Sequence, residues 1–234
     1  MERLARAEEL LDGPLEDVHE VADNLRDLRR ANRLLGGARQ SRLAVRRLAG
    51  GNEPVTLIDV GTGAADIPVM LLADSARAGR SMRITAIDER AEVIEAARIA
   101  RPGVERVAGL ELVVGDGRSL PYPDGAFDIA HASLVVHHLE PVDAVALLRE
   151  MARVARRGVV VNDLVRGRLF VLGAWLVSHL ATGNRLSRND APLSVRRAYS
   201  REELRGLCDE AGLRVVGEVG GFVGHRVAIV AVRA

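Results

Sequence analysis

The chain has 234 residues, with Lys+Arg 33 against Asp+Glu 32 and a formal net charge of +1. Hydrophobic content of 48% and charged content of 28% are globular values that exclude a disordered or collagen-like chain, and the length suffices for one substantial core. The near balance of charge lacks the electrostatic footprint of a nucleic-acid binder. Cys208 stands alone, which suits a reducing cytoplasm. The charged opening Met1-Glu2-Arg3 does not lead into a signal peptide, and no apolar run approaches the roughly 18 residues of a membrane span. The expectation is a soluble, cytoplasmic domain without stable membrane insertion and without a nucleic-acid partner.

Residues 1–52 read as helical. Val18, Val21, Leu25 and Leu28 recur at helical spacing, and Gly13-Pro14 and Gly36-Gly37 punctuate the run. From 53 to 163 short β-branched runs (55–60, 83–87, 112–114, 127–130, 159–161) alternate with helical stretches (67–78, 91–100, 142–154). Strands apolar on both faces and separated by helices predict a parallel sheet covered on both sides. Residues 164–198 break the alternation: 169–177, with Trp175, reads as an apolar helix, followed by a polar loop through Asn184, Asn189 and Asp190. Ser200-Arg201-Glu202-Glu203 is a capping-box pattern and Gly212 a helix stop. Runs 213–219 and 226–232, joined through Gly220-Gly221, predict a terminal antiparallel pair.

Asp59-Val60-Gly61-Thr62-Gly63 follows the first strand and leads into a helix. Small residues there let backbone N–H groups approach a ligand, although a tight strand-to-helix turn uses the same residues. Asp88 ends the second strand, where a carboxylate can accept both hydroxyls of a ribose. Val114-Gly115-Asp116-Gly117 ends the third, where Asp116 can accept from an adenine amino group. Three such signals at successive strand ends converge on one crevice.

On these residues the chain resembles the class I S-adenosylmethionine-dependent methyltransferases, particularly their small-molecule and quinone-type branch. Leu57-Ile58-Asp59-Val60-Gly61-Thr62-Gly63 stands as the first motif, Ala86-Ile87-Asp88 as the second, and Gly115-Asp116-Gly117 with Leu120-Pro121-Tyr122 as the third. Phe127-Asp128-Ile129-Ala130 matches the fourth strand and Leu148-Arg149-Glu150-Met151-Ala152-Arg153-Val154 the helix before the fifth. Arg156-Arg157-Gly158 replaces the family's Arg-Pro-Gly-Gly, with the turn expected to be kept.

The resemblance implies a doubly wound α/β fold with a mostly parallel seven-stranded sheet, order 3-2-1-4-5-7-6, the last strand antiparallel. Residues 53–163 and 199–234 would form the core, 1–52 an N-terminal helical lid, and 164–198 an insertion over the acceptor site. S-adenosylmethionine would be the cofactor. Asp59, Gly61, Thr62 and Gly63 would lie on the loop against its methionine part, and Asp88 and Glu89 at the ribose. Asp116 and Gly117 would meet the adenine, with Ala132 and Ser133 beneath the sulfonium. No metal is assigned. A nicotinamide dinucleotide is the rival cofactor; Asp88 suits it, but Asp66 replaces the third glycine of Gly-x-Gly-x-x-Gly and would face a pyrophosphate.

His137-His138 lies just beyond the fourth strand and Asn162-Asp163 ends the fifth. The 26 residues from His137 to Asp163 bring the two strand ends level. The pair resembles the sugar and phenol O-methyltransferases, in which a histidine at this place is the general base and an aspartate steadies it. A phenol of pKa ~10 is mostly protonated at neutral pH. An imidazole can take that proton, and a carboxylate on its other nitrogen fixes the tautomer. His137, Asp163 and His138 are the catalytic candidates, the two histidines unranked. Capping of the helix that starts near Pro141 would also place them there.

Arg166, Arg168, Arg196 and Arg197 read as solvated surface or as ligands of an anionic acceptor. The 169–177 stretch suits a pocket wall or a homodimer interface. The expected activity is O-methylation of a small hydroxylated acceptor, aromatic or polyketide-like. C-methylation of a quinone or isoprenoid ring, and a non-catalytic ligand-binding role on the same fold, are the alternatives.

Overall fold

The β-branched runs build the sheet. In the computed structural model, which describes residues 1–234 apart from Arg6, Glu16, Asn52 and Phe222, these runs form seven strands. They are β1 (Val55–Val60), β2 (Met82–Asp88), β3 (Leu110–Val114), β4 (Phe127–Ser133), β5 (Ala155–Leu164), β6 (Leu213–Gly220) and β7 (Arg226–Arg233). Their order is β3-β2-β1-β4-β5-β7-β6. β7 runs antiparallel to both neighbours and the other pairs are parallel.

Successive side chains point to opposite faces of a strand, so the apolar runs supply two cores at once. Leu57, Ile84, Ile129, Val160 and Val230 face α2 (Gly37–Ala49) and α3 (Asp66–Arg77). Ile58, Ile87, Ala130, Val161 and Ile229 face α5 (Pro141–Val154) and α8 (Arg201–Glu210). Each fully buried Ile, Leu or Val contributes about 1.5–3 kcal/mol. A third cluster packs Val93, Ala96 and Ala97 of α4 (Ala91–Ala100) against Val21 and Leu25 of α1 (Val18–Leu34). The strand order reverses between β1 and β4, which opens a crevice beyond their carboxyl ends, where ligands bind in open α/β sheets.

Three expectations need correction. α2 lies on the sheet, against β4, β5, β6 and β7, so the segment 1–52 is not a lid throughout. The polar stretch after the apolar helix α6 (Arg168–Ala181) is itself a helix, α7 (Arg185–Arg197). Asn184 caps it by accepting from the Ser187 amide, and Pro192 sits inside it. Residues 156–158 form no turn: α5 passes directly into β5, and Gly158 lies within the strand. Gly36-Gly37, the capping box at Ser200 and Glu203, and the antiparallel pair β6–β7 occur as read. Among the described residues no helix is long and apolar enough to cross a membrane.

Candidate active site

The loop after β1 turns through Gly61 (φ 67°) and Gly63 (φ 51°), left-handed positions that favour glycine. The carboxylate of Asp88 pins this loop: Oδ2 accepts from the Gly63 amide at 3.0 Å and Oδ1 from the Arg90 amide at 3.3 Å. Burial pushes the Asp88 carboxyl up, against the pull of those two bonds. Gly117, at the adjacent strand end, is buried, and a Cβ there would run into Val60.

Two of the predicted acids sit elsewhere than expected. Asp59 is 3% exposed and turned inward, accepting from the Thr62 hydroxyl at 2.7 Å and lying 2.5 Å from His131 Nδ1. Both hold the loop from below. Asp116 is partly exposed and committed to Arg118, whose amide and guanidinium bond it at 2.8, 3.0 and 3.2 Å; those bonds hold its carboxyl down. Glu89 lies at 3.9 Å from the same guanidinium. Ala132 is buried within β4, and the Ser133 hydroxyl accepts from Arg226 at 2.6 Å.

Beyond β4, Leu134 adopts φ 60° and its amide donates to the Asn162 carbonyl at 3.0 Å. This reversal sets up the 3-10 turn Val136–His138. His137 is 2% exposed, with Nδ1 at 2.6 Å from Asp163 Oδ1, and its backbone amide donates to Oδ2 at 3.2 Å. Although burial pushes the Asp163 carboxyl up, His137 and the Leu164 amide hold it below its ordinary value. Neither histidine caps α5, which begins at Pro141 after Glu140. The neighbouring His138 pairs through Nδ1 with Asp12 Oδ1 at 2.9 Å.

Residues 1–17 supply groups that sequence reading missed. Asp190 on α7 accepts from the Leu10 and Leu11 amides at 2.8 and 3.0 Å, and Arg90 donates to the Leu11 and Gly13 carbonyls at 2.8 Å each. So strapped, the segment inserts Glu9, 3% exposed, beside the two histidines. Its Oε2 accepts from the Ser194 hydroxyl at 2.8 Å; its Oε1 has no hydrogen bond and lies 3.9 Å from His137 Nε2. Burial pushes the Glu9 carboxyl up to about 7. Arg197 is 5% exposed, bonding Asp12 at 2.6 Å and lying 3.5 Å from Glu9, so it is not the solvated arginine its sequence position suggested. Although burial pushes the Asp12 carboxyl up, His138 and Arg197 hold it well below the carboxylate range. Arg166 is likewise committed, to Glu203, at 2.8 and 2.9 Å; Arg168 and Arg196 are exposed.

Beneath these groups runs a buried polar chain. Ser41 joins His131 Nε2 at 2.8 Å to the Asn162 amide at 2.7 Å, and Arg226 then links Asn162, Asn32 and Ser133. Burial pushes the Arg226 guanidinium down to about 10, against the pull of Asp163 and Asp66.

Residues 58–161 match the model of the methyltransferase domain family. That match runs from β1 into β5 and takes in Gly61, Gly63, Asp88 and His137. The chain is 31% identical over 130 residues to a ubiquinone/menaquinone biosynthesis C-methyltransferase of Geobacter sp., 54% of this chain and 53% of that protein. It is 28% identical over 199 residues to the protein of the same description from Citrifermentans bemidjiense, 79% and 82% of the two chains. To the malonyl-[acyl-carrier protein] O-methyltransferase of Serratia marcescens it is 37% identical over 99 residues, 41% of this chain. The chain thus spans 36% of the Serratia protein and 53% of the Geobacter one. Among solved structures, human N-acetylserotonin methyltransferase with its cofactor shares the fold, with a TM-score of 0.68 at 16% identity over 93% of this chain and 57% of that one.

The residues present fit S-adenosylmethionine, which the solved human methyltransferase of this fold binds. At the left-handed Gly61 and Gly63 the loop presents bare backbone, and each Asp88 oxygen, holding one amide bond, retains a lone pair for a ribose hydroxyl. Asp59 is bonded internally, to Thr62 and His131.

Proposed function

We propose that this chain is an S-adenosylmethionine-dependent methyltransferase acting on the hydroxyl of a small, hydroxylated, aromatic or polyketide-like acceptor, with His137 as the general base. The observation that carries the reading is the Asp163 carboxylate 2.6 Å from His137 Nδ1, which commits that nitrogen and leaves the Nε2 lone pair for the acceptor. When bound, the cofactor supplies an electrophilic methyl group on a sulfonium. The chain's own residues then have two tasks. Gly61, Gly63, Asp88 and Gly117 orient the cofactor, with Asp116 and Glu89 at its rim and Ala132 and Ser133 at the strand-end floor. His137 Nε2 takes the hydroxyl proton, and Asp163 stabilises the resulting imidazolium. His138, paired with Asp12, stands beside the base.

The resting arrangement is closed, since Glu9 faces His137 Nε2 at 3.9 Å. In this reading residues 1–17, with α6 and α7, cover the acceptor and move aside to admit it. The relatives of the C-methyltransferase description favour a second reading, transfer to a quinone-ring carbon with His137 removing a ring proton.

Incubation with methyl-labelled S-adenosylmethionine and a panel of phenols, catechols and hydroxyquinones tests the choice by NMR of the product. Oxygen-bound methyl supports the proposal; ring-bound methyl from every acceptor that turns over overturns it.

A further inference from the structure

Glu9 and His138 are used by neither the cofactor seat nor the proton transfer, yet both are aimed at one point. Glu9 Oε1 lies 3.9 Å from His137 Nε2, and Glu9 Oε2 lies 3.9 Å from His138 Nε2. One ligating atom from each of the three side chains falls within 4.8 Å of the others. The remaining ring nitrogens are both occupied by carboxylates: Asp163 on His137 Nδ1 at 2.6 Å and Asp12 on His138 Nδ1 at 2.9 Å. Histidines that ligate metals carry this second partner, which fixes the tautomer and turns the Nε2 lone pair outward.

Charge points the same way. Four carboxylates, Glu9, Asp12, Asp163 and Asp66, stand against two guanidiniums, Arg197 and Arg226. With every carboxylate ionised the surplus is two negative charges. Burying such a surplus is costly unless a cation offsets it. Glu9 Oε1 is buried with no hydrogen-bond partner.

We propose that Glu9, His137 and His138 form a binding site for a divalent transition-metal ion of the zinc type. Two imidazoles and a carboxylate are the donors such ions take, with a fourth position left for water. The two 3.9 Å separations run to different Glu9 oxygens, and one donor atom from each side chain lies within 4.8 Å of the others, against the ~3.4 Å of a tetrahedral shell with bonds of about 2.1 Å; side-chain rotation closes that gap. Glu9 arrives from residues 1–17 and the histidines from the turn after β4, so the ion fastens that segment onto the core. The ion and the acceptor's proton would share Nε2 of His137; the bound form is therefore the closed, non-transferring one. Only this last consequence rests on the function proposed above.

Titration calorimetry with zinc alone tests the site. Wild type binds one equivalent. Glu9→Gln and His138→Ala each lose at least 100-fold in affinity, Asp12→Asn loses about 10–100-fold through the histidine it orients, and His179→Ala, at a half-buried histidine outside the cluster, keeps wild-type affinity. Retained S-adenosylmethionine binding shows that each variant is folded. Cobalt substitution gives visible d–d bands in wild type that Glu9→Gln lacks, and zinc slows exchange of the Leu10 and Leu11 amides. No zinc binding by wild type, or equal binding by Glu9→Gln and His138→Ala, overturns the site. Turnover unchanged in zinc-saturated protein overturns the competition for Nε2. Zinc binding is measured without any acceptor, so failure of the methyl-acceptor reading leaves this result standing on its own.

Discussion

Asp163 Oδ1 sits 2.6 Å from His137 Nδ1 although the two residues come from different strand ends, and both are buried. The same carboxylate accepts the His137 and Leu164 amides, so ring and backbone are held together. Asp163→Asn keeps the shape but removes the charge that selects the tautomer. Its turnover is expected to fall, and by less than that of His137→Ala, in initial-rate assays at saturating cofactor. A wild-type rate would show that the ring needs no such orientation.

Asp88 holds the first loop and is the acceptor offered to the ribose. Asp88→Ala should weaken S-adenosylmethionine by about 1.5–3 kcal/mol, or roughly 10–150-fold in Kd by calorimetry. NADH should not bind at all. Unchanged affinity for S-adenosylmethionine would mean that the ribose lies elsewhere.

Much of this arrangement was legible in the sequence. The β-branched runs between Val55 and Val161 have no solvated face, which forces a covered parallel sheet, and Gly61, Gly63 and Asp88 mark strand ends that such a sheet must align. The spacing from His137 to Asp163 worked because one helix plus one strand returns the chain to the same edge. The rest depends on contacts that no local pattern encodes. Glu9 meets His137 across a separation of 128 positions in the chain, through a segment with no regular structure. Asn189 and Asp190 look like loop residues because short polar side chains compete with the helix backbone, yet Asp190 spends its carboxylate on two N-terminal amides. The internal partners of Asp59 and Asp116 were not legible for a related reason. A strand-end acid can point down to His131 or sideways to Arg118, and only packing decides.

Arg226 is the hub of the buried chain that ties α1, β4 and β5 together. Arg226→Met leaves Asn32, Asn162 and Ser133 without that donor and the charges of Asp66 and Asp163 without their cation. Urea unfolding should register a loss of about 3 kcal/mol or more. A loss under about 1 kcal/mol would mean that the network relaxes around an apolar side chain.

Cys208 is 1% exposed in α8, and burial pushes its thiol from 9.0 up to about 12. The folded protein should therefore resist alkylation at pH 8 and react once unfolded. The sign of the linkage follows: between about pH 9 and 12 the unfolded chain loses this proton and the folded chain keeps it, so stability falls as pH rises. Denaturant midpoints for Cys208→Ala should fall less steeply over that range than wild type. Parallel profiles would remove Cys208 as a cause of alkaline unfolding.

The central claim is that His137 takes the acceptor's proton, and the direct measurement is turnover of His137→Ala with labelled S-adenosylmethionine and whichever hydroxylated acceptor the panel identifies. Turnover should drop by about 10²–10⁴ with cofactor affinity almost intact, while His138→Ala, whose ring faces Asp12, keeps more activity than His137→Ala. If His138→Ala is the variant that loses turnover, the base is one residue along. Full turnover by His137→Ala contradicts the account.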